Sequence, residues 1–168
     1  MTQDERRLYL INELLKERNE DCEIPDDEKL QKDLLRSLMN IRQPLPVSAD
    51  FLQIQDDYLQ EVKRERGITD IGDLCPVRDA GGFDTSTGLS DRRLNHRGQL
   101  YLWQGDITTL KVDAIVNAAN SQLLGCFAPL HACIDNCIHT FAGIQLRLAC
   151  NELMKKQGHE EGTGLCKT

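Results

Sequence analysis

At 168 residues with 40% apolar content, the chain can form one ordinary packed domain or a small domain with a helical extension, and wholesale disorder is excluded. Twenty-seven acidic residues against 20 basic ones give a net charge of -7, which argues against non-specific binding to nucleic acid or another polyanion. No run approaches the roughly 18 apolar residues of a membrane span, and the charged residues 1–7 lead into an amphipathic pattern, not a signal-peptide apolar region.

The first third reads as helical. Leu8, Ile11, Leu14 and Leu15 form one stripe of a helix with charges opposite. After a break at residues 21–25, Pro25 is expected in a first helical turn with Asp26, Asp27 and Glu28 favouring the N-terminal dipole. Leu30, Leu34, Leu35, Leu38 and Ile41 make a second stripe, ended by the prolines at 44 and 46. Ser48 or Asp50 can cap a third helix bearing Phe51, Leu52, Ile54, Tyr58, Leu59 and Val62, which ends near Gly67. This extension reads as a helical layer packed on the main domain.

Residues 81–98 are rich in glycine, serine, threonine and arginine and read as a loop. Residues 100–103 are β-prone, Gly105-Asp106 turns, and 112–116 is a short apolar run suited to a buried strand of an α/β sheet. Residues 134–157 read as one long helix with Gly158 as terminator. The domain organisation expected is a helical extension over 1–75, a linker over 76–98 and an α/β domain over 99–168.

Chemistry concentrates between residues 104 and 133. Cys126, His131 and Cys133 place two thiols and an imidazole inside eight residues. Two thiolates and an imidazole suit zinc, and three protein ligands leave the fourth tetrahedral position open, as catalytic sites do. Cys133 at a helix N-terminus would have its thiolate favoured by the helix dipole. The same spacing also suits two small buried hydrophobic thiols and a surface histidine, so spacing alone leaves both readings open. Cys137, one turn on, is either a fourth ligand or, more simply, a packed thiol. Cys22, Cys75 and Cys150 carry no spacing signal, and His96, His139 and His159 read as solvated or packed imidazoles. Seven cysteines, an odd count, suit thiols and metal ligands better than disulfides, which points to the cytoplasm or another reducing compartment.

Asp106 just past a strand can accept hydrogen bonds from a purine amino group or a sugar hydroxyl, and Asn120 after the apolar run can serve ribose hydroxyls. Each is also a common turn residue.

Together, Gln104-Gly105-Asp106-Ile107-Thr108 and Val112-Asp113-Ala114-Ile115-Val116-Asn117-Ala118-Ala119-Asn120-Ser121 resemble the macrodomain family, the ADP-ribose-binding α/β fold. The continuation through Gly125-Cys126-Phe127 and Cys133-Ile134-Asp135-Asn136-Cys137, with the helical N-terminal extension, is similar to its zinc-dependent branch. The resemblance implies a three-layer sheet with flanking helices and hydrolysis of ADP-ribose from mono-ADP-ribosylated proteins. It implies that Asp106 takes the adenine amino group, Ile107 makes a backbone contact beside it, and Asn120 holds the distal ribose. Cys126, His131 and Cys133 would bind the zinc ion, with Asn120 and His131 as the catalytic residues. Zinc would polarise the ligand or lower the pKa of a water. A sirtuin-type ADP-ribosyltransferase and a lipoylated carrier protein are the implied partners. The family's Thr-Gly-x-Ala pattern begins at Thr163-Gly164, and the resemblance implies that further strands and the glycine-rich diphosphate loop follow it, so that the C-terminal part of the fold is missing from these 168 residues. A non-catalytic ADP-ribose-binding module, and an inactive remnant of the hydrolase, are the alternative readings.

Overall fold

The computed structural model describes residues 1–76 and 99–158. The loop expected over 81–98 with His96, the residues around His159 and the pattern beginning at Thr163 lie outside the described residues.

Three helices build the first layer: α1 (Gln3–Arg18), α2 (Glu28–Ile41) and α3 (Ala49–Arg66). A capping box starts α1. Glu5 N donates to Thr2 Oγ1 at 3.2 Å, and Thr2 N donates to a Glu5 carboxylate oxygen at 2.8 Å, so two otherwise unpaired N–H groups are satisfied reciprocally. Asn19 ends the helix in the left-handed region, at φ 52°. Asp27 caps α2 by accepting from Leu30 N at 2.9 Å. Pro25 therefore lies ahead of the cap and not in the first turn; its carbonyl accepts from the Gln31 side chain. Ser48 Oγ accepts from Phe51 N at the start of α3, as the sequence suggests.

The buried faces meet in one core of Leu10, Ile11, Leu14, Leu15, Leu35, Leu38, Met39, Phe51, Tyr58 and Ile144. Each fully buried aliphatic side chain contributes about 1.5–3 kcal/mol. Two expected members are displaced. Leu8 is only half-buried, and Leu10 takes the core position. Leu30 is 54% exposed, because α2 turns Leu35, Leu38 and Met39 inward. Periodicity identified the stripes but misplaced their edges by one or two residues.

The expected long helix over 134–157 is two helices, α4 (Ile134–Ala142) and α5 (Ile144–Gln157), broken at Gly143. Gly143 has φ 80° and ψ 175°, an extended conformation that only glycine adopts readily. The break is fixed from α3: fully buried Gln55 accepts from Ile144 N at 3.0 Å and donates to Gln145 Oε1 at 2.6 Å. A Cβ on Gly143 would lie 2.5 Å from the Gln55 amide nitrogen.

Among the described residues, those up to Arg66 and those from Val116 form one compact unit, and those between Gly67 and Ile115 a second. In the second unit β1 (Thr69–Asp70) pairs in parallel with β2 (Leu110–Lys111), and Lys111 Nζ donates to Asp70 Oδ2 at 2.9 Å. This two-stranded ladder is the whole sheet among the described residues, smaller than the layered sheet that the resemblance implies. The strand expected at 112–116 is not formed. Val112, Ile115 and Val116 are 41%, 39% and 81% exposed, because an apolar run is buried as a strand only where neighbours pair with it and cover it. Residues 100–103 give a single antiparallel bridge, Pro76 to Tyr101.

Gly143→Ala is expected to destabilise the first unit by roughly 1–3 kcal/mol through φ strain and the clash with Gln55. Urea denaturation followed by circular dichroism measures this, and wild-type stability would show that the kink is not enforced.

Candidate metal and ligand site

The loop between residues 120 and 133 is wound by turns. Asn120 O accepts from Leu123 N at 3.1 Å and Ala128 O from His131 N at 3.3 Å. Leu123 and Leu130 both take left-handed conformations, φ 57° and 56°, uncommon for a residue with a Cβ. Leu130 itself and Leu124, the residue after Leu123, are held from outside the loop. The buried Asn40 of α2 accepts from Leu130 N at 3.1 Å, and Arg147 of α5 donates from Nε to Leu124 O at 2.7 Å. Gly125 is buried at φ 81° against the His139 ring, where a Cβ would come within 2.6 Å of the imidazole. Only glycine fits the position before Cys126.

This winding gathers Cys126, His131 and Cys133, whose ligand atoms all lie within 4.8 Å of one another. Cys126 Sγ and His131 Nδ1 are 3.6 Å apart. Zinc bonds of about 2.3 Å to sulfur and about 2.0 Å to nitrogen set tetrahedral ligand atoms roughly 3.4–3.8 Å apart, so the cluster is near the size of such a site. His131 is exposed and the two thiols half-buried, which leaves the cluster open to solvent.

Cys133 is the N-cap of α4, as expected, and its Sγ accepts from Asn136 N at 3.4 Å. Its titration differs from the expectation. Burial pushes the Cys133 thiol up, the Asn136 N–H pulls it partly back, and neighbouring Cys126 raises it further. Two adjacent thiols resist joint ionisation unless a cation offsets their charge, so the donor chemistry fits a soft divalent metal. Cys137 is half-buried, with Arg36 Nη2 3.8 Å from its sulfur.

Asn136 is fully buried and does more than its place in the sequence suggests. Its Nδ2 donates to Cys126 O at 3.2 Å and Ala128 O at 3.0 Å, and its Oδ1 accepts from Arg36 Nη2 at 2.9 Å. Asp135, also buried, accepts from Asn117 Nδ2 at 2.8 Å and lies 3.7 Å from His139 Nε2. One helical turn thus carries Cys133, holds the loop that carries Cys126, and ties down the start of residues 117–120. The available signal for Asn136 was its place three residues after an N-cap; for Arg36 and Asn40 it was two polar side chains one helical turn apart in a leucine-rich helix.

Asn120 is exposed. Its Nδ2 donates to Gly125 O at 3.1 Å and its Oδ1 accepts from Gln122 N at 3.1 Å, so two of the four hydrogen-bonding sites of its amide serve the turn. In the second unit, Asp106 caps a short 3-10 turn, Ile107–Thr109. Its Oδ1 accepts from Thr108 N at 2.9 Å and Thr108 Oγ1 at 2.6 Å, while Ile107 is half-buried.

Residues 116–168 match the Macro domain family. The chain is 56% identical, over 99% of its length, to a protein-ADP-ribose hydrolase of Treponema medium, and 43% identical over 95% to a protein-ADP-ribose hydrolase of Staphylococcus aureus. It is 43% identical over 76% of its length to a probable bifunctional ADP-ribose hydrolase/ADP-ribosyltransferase of Fusarium oxysporum f. sp. cubense. The alignments cover 59%, 53% and 20% of those three relatives, so the chain spans only about half the length of the first two.

Burial holds His139 below its usual pKa near 6.5; Asp135 partly restores it and Arg147 adds to the lowering. The folded state therefore prefers the neutral ring, and an unfolded histidine gains its proton first as pH falls. The resulting stability is complete above about pH 6.5 and is lost below it, with a slope of at most ~1.4 kcal/mol per pH unit. Denaturation of chelator-treated protein between pH 7.5 and 5 is expected to show this loss, with a smaller slope in His139→Gln. An equal slope in the variant would contradict the assignment.

Proposed function

We propose that this chain carries the ligand-binding and metal-binding part of a zinc-dependent macrodomain hydrolase that removes ADP-ribose from mono-ADP-ribosylated proteins. The observation that carries the reading is the convergence of Cys126, His131 and Cys133 within 4.8 Å immediately after the Asn117–Asn120 segment. The protein-ADP-ribose hydrolase names of the Treponema and Staphylococcus relatives give that metal site a substrate class.

Asn120 holds hydroxyls of the distal ribose through the amide capacity left by its turn. Asp106 takes the adenine amino group, with the Ile107 backbone beside it. Cys126, His131 and Cys133 hold zinc against the distal ribose, with the fourth position open. When bound, zinc supplies Lewis acidity there, polarising the ligand or lowering the pKa of a water. Water is consumed, the bond between ribose C1″ and the acyl oxygen of an acidic side chain breaks, and free ADP-ribose and the restored carboxylate leave. The partner is an ADP-ribosyltransferase that makes the modification, of sirtuin type and acting on a lipoylated carrier protein. The name of the Fusarium relative, which joins hydrolase and transferase, supports this pairing. A layered macrodomain sheet and a reducing, cytoplasmic setting complete the reading.

The native protein is expected to bind zinc one to one, and Cys133→Ala to lose it on gel filtration. Elemental analysis reads the ratio, and a metal-free native protein in zinc-supplemented buffer would sink the metal assignment.

In protein that releases ADP-ribose from a mono-ADP-ribosylated acidic side chain, Asn120→Ala and His131→Ala are each expected to lower release by at least ~10²-fold. Chromatographic quantitation of free ADP-ribose tests this; full activity in either variant would remove that residue from the site.

A further inference from the structure

We infer that Arg36, on α2 of the helical extension, is a positioning residue of the metal site. The inference rests on the metal reading above and goes beyond it, because Arg36 is distant in sequence from the ligands and touches none of the three donor atoms in the bonds the structure records.

One nitrogen of its guanidinium, Nη2, donates to two oxygens at once: His131 O at 3.0 Å and Asn136 Oδ1 at 2.9 Å. The first oxygen is the backbone of the histidine ligand. The second belongs to the side chain whose Nδ2 holds Cys126 O at 3.2 Å and whose backbone N–H reaches Cys133 Sγ at 3.4 Å. A single cationic donor is therefore bonded to the backbone of one ligand and to the residue that contacts the other two.

Neighbouring bonds show that this face of α2 is built for the loop. Asn40, one helical turn along, accepts from Leu130 N, at the residue before His131, and donates to Thr140 Oγ1 of α4 at 2.9 Å. Arg36 differs from Asn40 in being only half-buried, so its replacement disturbs the core least. A charged donor makes these bonds stronger than neutral ones, and its positive charge sits beside a site that must hold two thiolates. Residues that orient metal ligands commonly change metal affinity 10–100-fold when replaced.

The test compares native protein with Arg36→Met, Arg36→Lys and the control Lys32→Met, the last altering only an exposed α2 residue that pairs with Glu28. Zinc affinity is measured by competition with a chromogenic chelator, and the cobalt-substituted visible spectrum reports ligand geometry. Thermal unfolding with and without metal separates metal binding from folding. Arg36→Met is expected to weaken zinc 10–100-fold and shift the cobalt ligand-field bands, with a metal-free Tm near the native value. Arg36→Lys should fall between native and Met, and Lys32→Met should match the native protein. Native affinity and spectrum in Arg36→Met would overturn the inference while leaving the metal site standing, even if Tm falls. Failure of the native protein to bind zinc would overturn both.

Discussion

The carboxamide of Asn136 is the constraint on which the site depends. A loop with two non-glycine residues in left-handed conformations is costly to hold, at about 1–3 kcal/mol each where the surroundings must enforce them. Asn136 helps to close it by donating both amide hydrogens to carbonyls of the loop, Cys126 and Ala128, from a fully buried position on the first turn of α4. Its neighbour Cys133 caps the same turn. The spacing of the two thiols thus follows from how the loop is fastened to one helix end, and an unsatisfied buried amide would cost about 1–3 kcal/mol.

The helical extension gives that turn its backing. α2 reaches it through Arg36 and Asn40, and α5 through Arg147. The Arg147 Nη1 donates to Met39, Asn40 and Arg42 carbonyls, and its Nε to Leu124 O. The guanidinium also lies 4.3 Å from the centre of the Phe127 ring. Three carbonyls left unpaired at the end of α2 are thereby satisfied by a charge that the loop needs as well. The layer that looks like simple packing in sequence is, in structure, part of the scaffold of the loop.

Much of that scaffold was legible in the sequence, for physical reasons. The helices α1–α3 announce themselves by period, and α3 also by its cap at Ser48, while the caps at Thr2 and Asp27 appear only in the structure. The convergence of Cys126, His131 and Cys133 was legible because the three are close in sequence and one caps a helix. What sequence did not show depends on distant partners. Gly143 breaks a helix because Gln55, 89 residues from Ile144, holds the next amide. Residues 112–116 have the composition of a buried strand but remain exposed, since composition cannot say whether a neighbour pairs with them. Leu10 displaced Leu8 because a stripe's edge is set by what it packs against. Arg36, Asn40 and Asn136 had weak local signals, and only contacts across about 100 residues give them a role.

The two motifs that suggested a nucleotide ligand stand differently. Asp106 and Asn120 both make the local turn bonds that such residues make in any protein. The functional reading of Asn120 therefore leans on the match of residues 116–168 to the Macro domain family, and that of Asp106, outside that match, on the relatives' names. The Cys126–His131–Cys133 cluster has a geometry of its own, which makes the proposed metal site the part of the account most open to a decisive test. Zinc K-edge X-ray absorption on the zinc-reconstituted protein reads the ligand set directly. The account predicts a shell of two sulfurs at about 2.3 Å and lighter nitrogen or oxygen ligands at about 2.0 Å. A shell of nitrogen and oxygen alone, without sulfur, would contradict it.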